Sequence, residues 1–136
     1  MHYRTTPEHI TILEKNQIFV FGSNLSGYHL GGAAQAAYLN FGAKWGQAVG
    51  VQGNSYAIPT IDANVVRTLS TGEILTYVHE FMDWAGQFPE YDFLVTPIGC
   101  GIAGLKVYDV APLFMEAYLY KNIWLPEYFW NYLRYN

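Results

Sequence analysis

Two short stretches hold the residues whose types and spacing could do chemistry. The first runs from Ile18 to Ala37, IFVFGSNLSGYHLGGAAQAA. Its apolar start ends abruptly in Gly22-Ser23-Asn24, a polar glycine-studded loop follows, and Gly31-Gly32-Ala33 opens an alanine-rich segment. Strand, glycine loop and helix N-terminus, in that order, build a site for an anion. The glycines let the backbone approach a ligand closely, and the first N–H groups of a helix have no internal partner. With the helix dipole they favour a phosphate. The second stretch, Gly99-Cys100-Gly101-Ile102-Ala103-Gly104, follows another apolar run. Two such loops in one small chain point to a ligand with two phosphates, or with a phosphate and a sugar.

Within the first loop, Asn24 has both a donor and an acceptor and suits ribose hydroxyls; its other reading is a turn residue tolerant of unusual backbone angles. His29 is the titratable side chain there, and imidazole is the natural acid or base at neutral pH. The spacing is neither GxGxxG nor a Walker A motif, since no GK[ST] is present. Cys100 lies between two glycines and reads as a small residue lining a pocket or, alternatively, as a nucleophile, which would need a base or a positive environment. Tyr56, in Gly53-Asn54-Ser55-Tyr56, and Tyr108 could stack on a base at the pocket rim. His2, His9 and His79 are scattered and make no zinc motif, and no cofactor is expected. Asp62, Asp92 and Asp109 read as turn or cap residues.

These loops need elements to hold them. Ile18 to Phe21 reads as a buried strand and Gly32 to Asn40 as a small-residue helix. Gly42 to Gly53 reads as irregular, and Ser55 to Ile58 as a strand running into Pro59. Ser70-Thr71-Gly72-Glu73 matches a capping box. Behind it Ile74, Val78, Phe81 and Ala85 share one helical face to about Gln87. Phe93 to Ile98 is a third strand that delivers the second glycine loop. Asp109 is the expected N-cap of the next helix, with Pro112 in its first turn. Asn122 to Leu125 is a last strand, and Pro126 starts a terminal helix. The alternation favours an α/β sheet with helices on both faces. Both glycine loops are then expected at its carboxyl edge, where ligands bind in open sheets.

Composition narrows the classes. The 136 residues are 51% hydrophobic and 13% charged, enough for one domain with a real core. A net charge of −4 argues against bulk nucleic acid as partner and assigns any phosphate to backbone N–H groups rather than to a cationic patch. One cysteine gives no disulfide framework and fits a reducing compartment. Without a signal-peptide core or a membrane-length apolar run, the expectation is a soluble cytoplasmic protein. Trp124, Tyr128, Phe129, Trp130, Tyr132 and Tyr135 crowd the C-terminus. They form either a helix packed on the core or an interface for a homo-oligomer.

Taken in order, these residues resemble the macro domain family, specifically its small bacterial and phage macro-like branch. Asn24, six residues and then Gly31-Gly32-Ala33 is similar to the family's N-x6-GG pattern, and Gly99 to Gly104 to its G-x-G-[IV]-x-G loop. Asn54 to Pro59 stands where the family carries a strand between its first two helices, so the likeness extends over roughly Ile18 to Ile123. The resemblance implies a three-layer α/β/α fold that binds ADP-ribose or a related NAD-derived nucleotide. The first loop, with Gly22, Ser23 and Asn24, would hold the distal ribose, and the second would wrap the diphosphate. Two places depart from it: Ala33-Ala34 stands where one hydrolytic class has an acid, and no adenine-reading Asp precedes Ile18. A hydrolase of ADP-ribosyl linkages or of ADP-ribose phosphate would have to use Asn24 to position water and His29 as acid or base. A third reading is an interaction or nucleotide-sequestering protein of the phage type, working through its aromatic C-terminus.

Overall fold

A computed structural model describes residues 4–135. The elements are β1 (Gln17–Asn24), α1 (Gly32–Asn40), β2 (Gly50–Gln52), β3 (Ser55–Ile61), α2 (Thr71–Gly86), β4 (Asp92–Val95), α3 (Val107–Val110), a 3-10 segment (Ala111–Leu119), β5 (Ile123–Trp124) and α4 (Glu127–Tyr135). The fold is α/β. Its mixed five-stranded sheet has the order β2-β3-β1-β4-β5. β1 pairs parallel with β3 on one side and with β4 on the other, β5 continues parallel beyond β4, and β2 lies antiparallel on β3.

Successive residues of a strand point to opposite faces, and β1 uses both. Ile18 and Val20 join a cluster containing Ile74, Val78 and Phe81 of α2, Phe114 of the 3-10 segment and Phe129 and Trp130 of α4. Phe19 and Phe21 join a separate cluster with Ala34 and Ala37 of α1, Phe41, Ala43 and Ala57. Alanines on the buried side of α1 let this helix approach the two phenylalanines closely. Phe129 and Trp130 are fully buried, and the Trp130 indole N–H donates to the Arg4 carbonyl at 2.8 Å. The C-terminal aromatics of α4 therefore include core residues, whose truncation costs about 3–5 kcal/mol each. Among the described residues, no helix is long and apolar enough to cross a membrane.

Three local expectations are corrected. Gly42 to Gly53 is not wholly irregular: Gly50–Gln52 forms β2, too short and glycine-rich to show a period of two. β4 stops at Val95, because Thr96 turns its hydroxyl back onto the Val20 carbonyl at 2.8 Å and Pro97 has no N–H for the ladder. Asp109 is the third residue of α3 rather than its N-cap; its carboxylate accepts from the Lys106 N–H at 3.0 Å.

The capping box is present as expected. Ser70 Oγ accepts from the Glu73 N–H at 3.1 Å, and the Glu73 carboxylate accepts from the Ser70 N–H at 2.8 Å and from Arg67 at 3.1 Å. The Arg67 contact first, then the Ser70 N–H, holds the Glu73 carboxyl at about 2, below its ordinary 4.5. A lowered folded pKa contributes stability that is complete above the unfolded value and is lost as pH falls through the folded one. Ser70→Ala should lower the urea-unfolding free energy at pH 7 by about 1 kcal/mol. The stability gap between wild type and Glu73→Gln should shrink as pH falls from 4.5 towards 2.

Candidate functional site

β1 ends between two strands whose connections leave it on opposite sides, which leaves a crevice at the carboxyl edge of the sheet. A cleft of about 410 Å³ occupies it. Gly22, Ser23 and Asn24 at the end of β1 line it, as do Gly31, Gly32 and Ala33 at the start of α1 and Gly99, Cys100, Gly101, Ile102 and Ala103 after β4. Gly104 closes the second loop without lining the cleft; its N–H donates to the Gly101 carbonyl at 2.9 Å.

Close backbone approach explains two of the glycines. A Cβ on Gly22 would lie 3.4 Å from the Gly99 nitrogen, so the two loops all but touch on the cleft floor. Gly99 has φ of +76°, and a side chain there would press on Leu105 at 3.1 Å and Val110 at 3.3 Å. The second loop then arches over the first. A Cβ on Gly31 would meet the end of the Ile102 side chain at 3.3 Å, although Ile102 is 73% exposed. Thr68 clips the far end of this arch by donating its hydroxyl to the Ala103 carbonyl at 2.7 Å.

The polar side chains of the floor are already engaged. Ser23 Oγ donates to the Ala48 carbonyl at 2.6 Å, Thr60 Oγ1 to the Ser23 carbonyl at 3.4 Å and Thr96 Oγ1 to the Val20 carbonyl. The main-chain N–H groups are not. Gly31 caps α1 without a side-chain acceptor, and no acidic residue stands in the first turn. Among the described residues, no acceptor bonds the N–H groups of Gly31, Gly101, Ile102 or Ala103. No Lys, Arg, Asp, Glu or His among the described residues lines the cleft. Residues with unbonded N–H groups thus line one uncharged space from two loops, an arrangement that suits an anion, which donates nothing and accepts from several directions.

A second cleft, about 670 Å³, shares Ala33, Thr96, Pro97 and Tyr128 with the first. It continues past the end of β5 to Thr5, Thr6, His9 and Pro126. Strands lie about 4.8 Å apart. A groove over the carboxyl ends of β3, β1, β4 and β5 therefore spans roughly 14 Å between its outer strands.

Four expected roles are changed by the geometry. Asn24 lines the cleft, but its amide holds the loop: Oδ1 accepts from the N–H groups of Ser26 at 3.2 Å and Tyr28 at 3.0 Å, and Nδ2 donates to the Tyr28 carbonyl at 2.8 Å. This is the turn reading. His29 is 2% exposed and does not line the cleft. Gly27 packs the loop onto the backbone of Gly46 and Gln47, and this carries His29 underneath. Its Nε2 faces two acceptors, the Lys44 carbonyl at 2.8 Å and Gln52 Oε1 at 3.2 Å, and so carries the proton. The ring lies edge-on to Phe21 and beside Tyr38 and Trp45. Tyr56 belongs to the core, edge-on to Phe81, and burial, with Glu80 adding, pushes its hydroxyl up to about 12. Tyr108 is exposed and lines neither cleft.

His79 is exposed on α2, His9 borders the second cleft and His2 falls outside the described residues. Among the described residues, no three potential metal ligands gather. Asp62 accepts from the N–H groups of Val66 and Arg67, and Asp92 opens β4 beside Asn16. Sequence reasoning missed Tyr28, Leu30, Thr60, Ile61, Val65, Thr96 and Tyr128, all of which line the first cleft. Thr60 and Thr96 had a signal, since each follows a buried apolar run; Tyr128 had none.

Compared with known proteins, this chain matches no family model, no curated protein and no solved structure.

Burial first, and Asp109 second, push the Cys100 thiol up from its ordinary value, against the opposing Lys106. A raised pKa means less thiolate at neutral pH, the opposite of a nucleophile's requirement. Cys100 should therefore alkylate with iodoacetamide more slowly than glutathione at pH 8, with its pH–rate midpoint shifted upward.

Proposed function

We propose that the cleft binds ADP-ribose or a closely related NAD-derived nucleotide, and that the chain is a three-layer α/β/α protein of the macro-like kind. The observation that carries this reading is that residues with unbonded main-chain N–H groups, at the start of α1 and from Gly101 to Ala103, line one uncharged cleft. A diphosphate fits two neighbouring donor sets better than a single phosphate does. The space on either side supplies the ends: room for a base in the second cleft, and for a sugar towards Ile61 and Val65. The division of the core into two clusters about β1 supports the layered arrangement.

Binding is preferred to hydrolysis. A general acid or base must come within hydrogen-bond reach of the reacting atoms, and His29 is held in an aromatic box away from the cleft. Ala33 and Ala34 put no carboxylate at the start of α1.

Calorimetry with ADP-ribose, ADP, AMP and ribose 5-phosphate tests the reading. ADP-ribose should bind most tightly, with AMP and ribose 5-phosphate each weaker by at least about tenfold, a loss of about 1.4 kcal/mol. At a concentration 100-fold above its dissociation constant, ADP-ribose should stabilise the fold by about 2.7 kcal/mol. Because the donors are main-chain groups, affinity should change little between 50 and 200 mM salt, unlike binding by a cationic patch. Absence of both heat and thermal shift at millimolar ADP-ribose would overturn the proposal.

A further inference from the structure

The first cleft adjoins the second on the β4 side, and the turn after β3 on its other side holds a backbone outlier. Val65 is the non-glycine residue with positive φ among the described residues, at +58°. L-residues avoid this region, and a β-branched residue there is a genuine exception. Val65 lines the cleft and is 37% exposed.

Specific bonds over-determine this conformation. The Val65 N–H donates to the Asp62 carbonyl at 3.1 Å, Asp62 Oδ1 accepts from Val66 at 2.9 Å and Arg67 at 3.1 Å, and the Asp62 N–H donates to the Arg67 carbonyl at 2.8 Å. The turn is also stitched to the first glycine loop. The Leu25 N–H donates to the Ile61 carbonyl at 3.0 Å, and the Ser26 hydroxyl donates to the Ala63 carbonyl. The loop after β1 and the loop after β3 therefore meet beyond Asn24, and Val65 lines the cleft from the turn that joins them. Strain that is kept by surrounding bonds collects at ligand clamps.

We infer that Val65 is a specificity-determining residue that caps the sugar end of the groove and selects nucleotides whose terminal ribose is unsubstituted. This inference rests on the nucleotide reading of the cleft. The ligand class it names is free ADP-ribose, as against NAD+, whose terminal ribose carries nicotinamide at its anomeric carbon. The wall acts by exclusion: the turn is pinned at both ends, so a substituent there collides with Val65 instead of displacing it.

The test is titration of wild type, Val65→Gly and Val65→Ala with ADP-ribose and with NAD+, together with melting temperatures. Wild type should bind NAD+ at least about tenfold more weakly than ADP-ribose, the discrimination expected of one apolar wall. Both variants should narrow that ratio. Val65→Gly should melt no lower than wild type, because relief of the left-handed strain offsets the added chain entropy of glycine. Equal affinity of wild type for the two ligands, or an unchanged ratio in both variants, overturns the role of Val65 while leaving ADP-ribose binding intact. A lower melting temperature for Val65→Gly overturns the strained wall. Failure of wild type to bind either nucleotide overturns the ligand reading itself, and this inference with it.

Discussion

The structure depends on the position of β1. It is paired in parallel on both edges and buried on both faces, so its eight residues must satisfy two neighbours and two clusters at once. Where it ends, no neighbour can follow it directly. Parallel strands need long crossovers, and here the crossover to β3 passes through α1 while the path from β3 to β4 passes through α2. The chain must separate at Gly22-Ser23-Asn24, and the cleft is the space left by that separation. At Gly22 the separation is small: a Cβ there would lie 3.4 Å from the Gly99 nitrogen, with room for no large side chain between them.

This explains which parts were legible in the sequence. Elements with a local physical cause could be read: α1 from its alanines after Gly31-Gly32, α2 from Ser70, Glu73 and a 3.6-residue apolar stripe, and the strands from short apolar runs that end in glycine or proline. The meeting of the two glycine loops followed from the alternation of strands and helices. What could not be read depends on how one loop lies on another. The polar cluster Asn24, Ser26 and His29 looks alike in sequence whether it faces a ligand or the protein. Its direction is decided by Gly27 lying on Gly46-Gln47 and by Gln52, whose buried amide gathers Lys44, Gln47, Gly50 and His29. Tyr56 misled for a related reason: in a strand buried along most of its length, alternation gives no sign of which side faces the site.

The chemistry of the cleft follows from what its side chains do elsewhere. Ser23, Thr60 and Thr96 spend their hydroxyls on carbonyls of the sheet edge, and Asn24 spends its amide on the loop. They tie the walls to the sheet edge and leave main-chain N–H groups, beside the phenols of Tyr28 and Tyr128 and the Cys100 thiol, as the polar surface of the cleft. Main-chain donors differ from lysine or arginine in two ways. They are fixed by the fold, so little entropy is lost on binding. They also carry only partial charge, so geometry more than net charge decides which anion is held. An overall charge of −4 is compatible with anion binding on this basis, since no long-range attraction is required.

The same ties bear on catalysis. Among the described residues, a reacting centre in this cleft would meet Cys100, whose thiol pKa is raised, and the phenols of Tyr28 and Tyr128, but no imidazole or carboxylate. Bringing His29 into play would mean breaking its bond to the Lys44 carbonyl, unpacking it from Phe21 and Trp45, and lifting the loop from Gly46. That is a partial unfolding of the first loop, which also supplies the N-terminus of α1. The N–H groups proposed to hold the ligand and the histidine that would act on it therefore cannot be deployed together. On the proposed reading, a loop that buries its imidazole while leaving N–H groups unbonded suits holding a nucleotide more than turning it over.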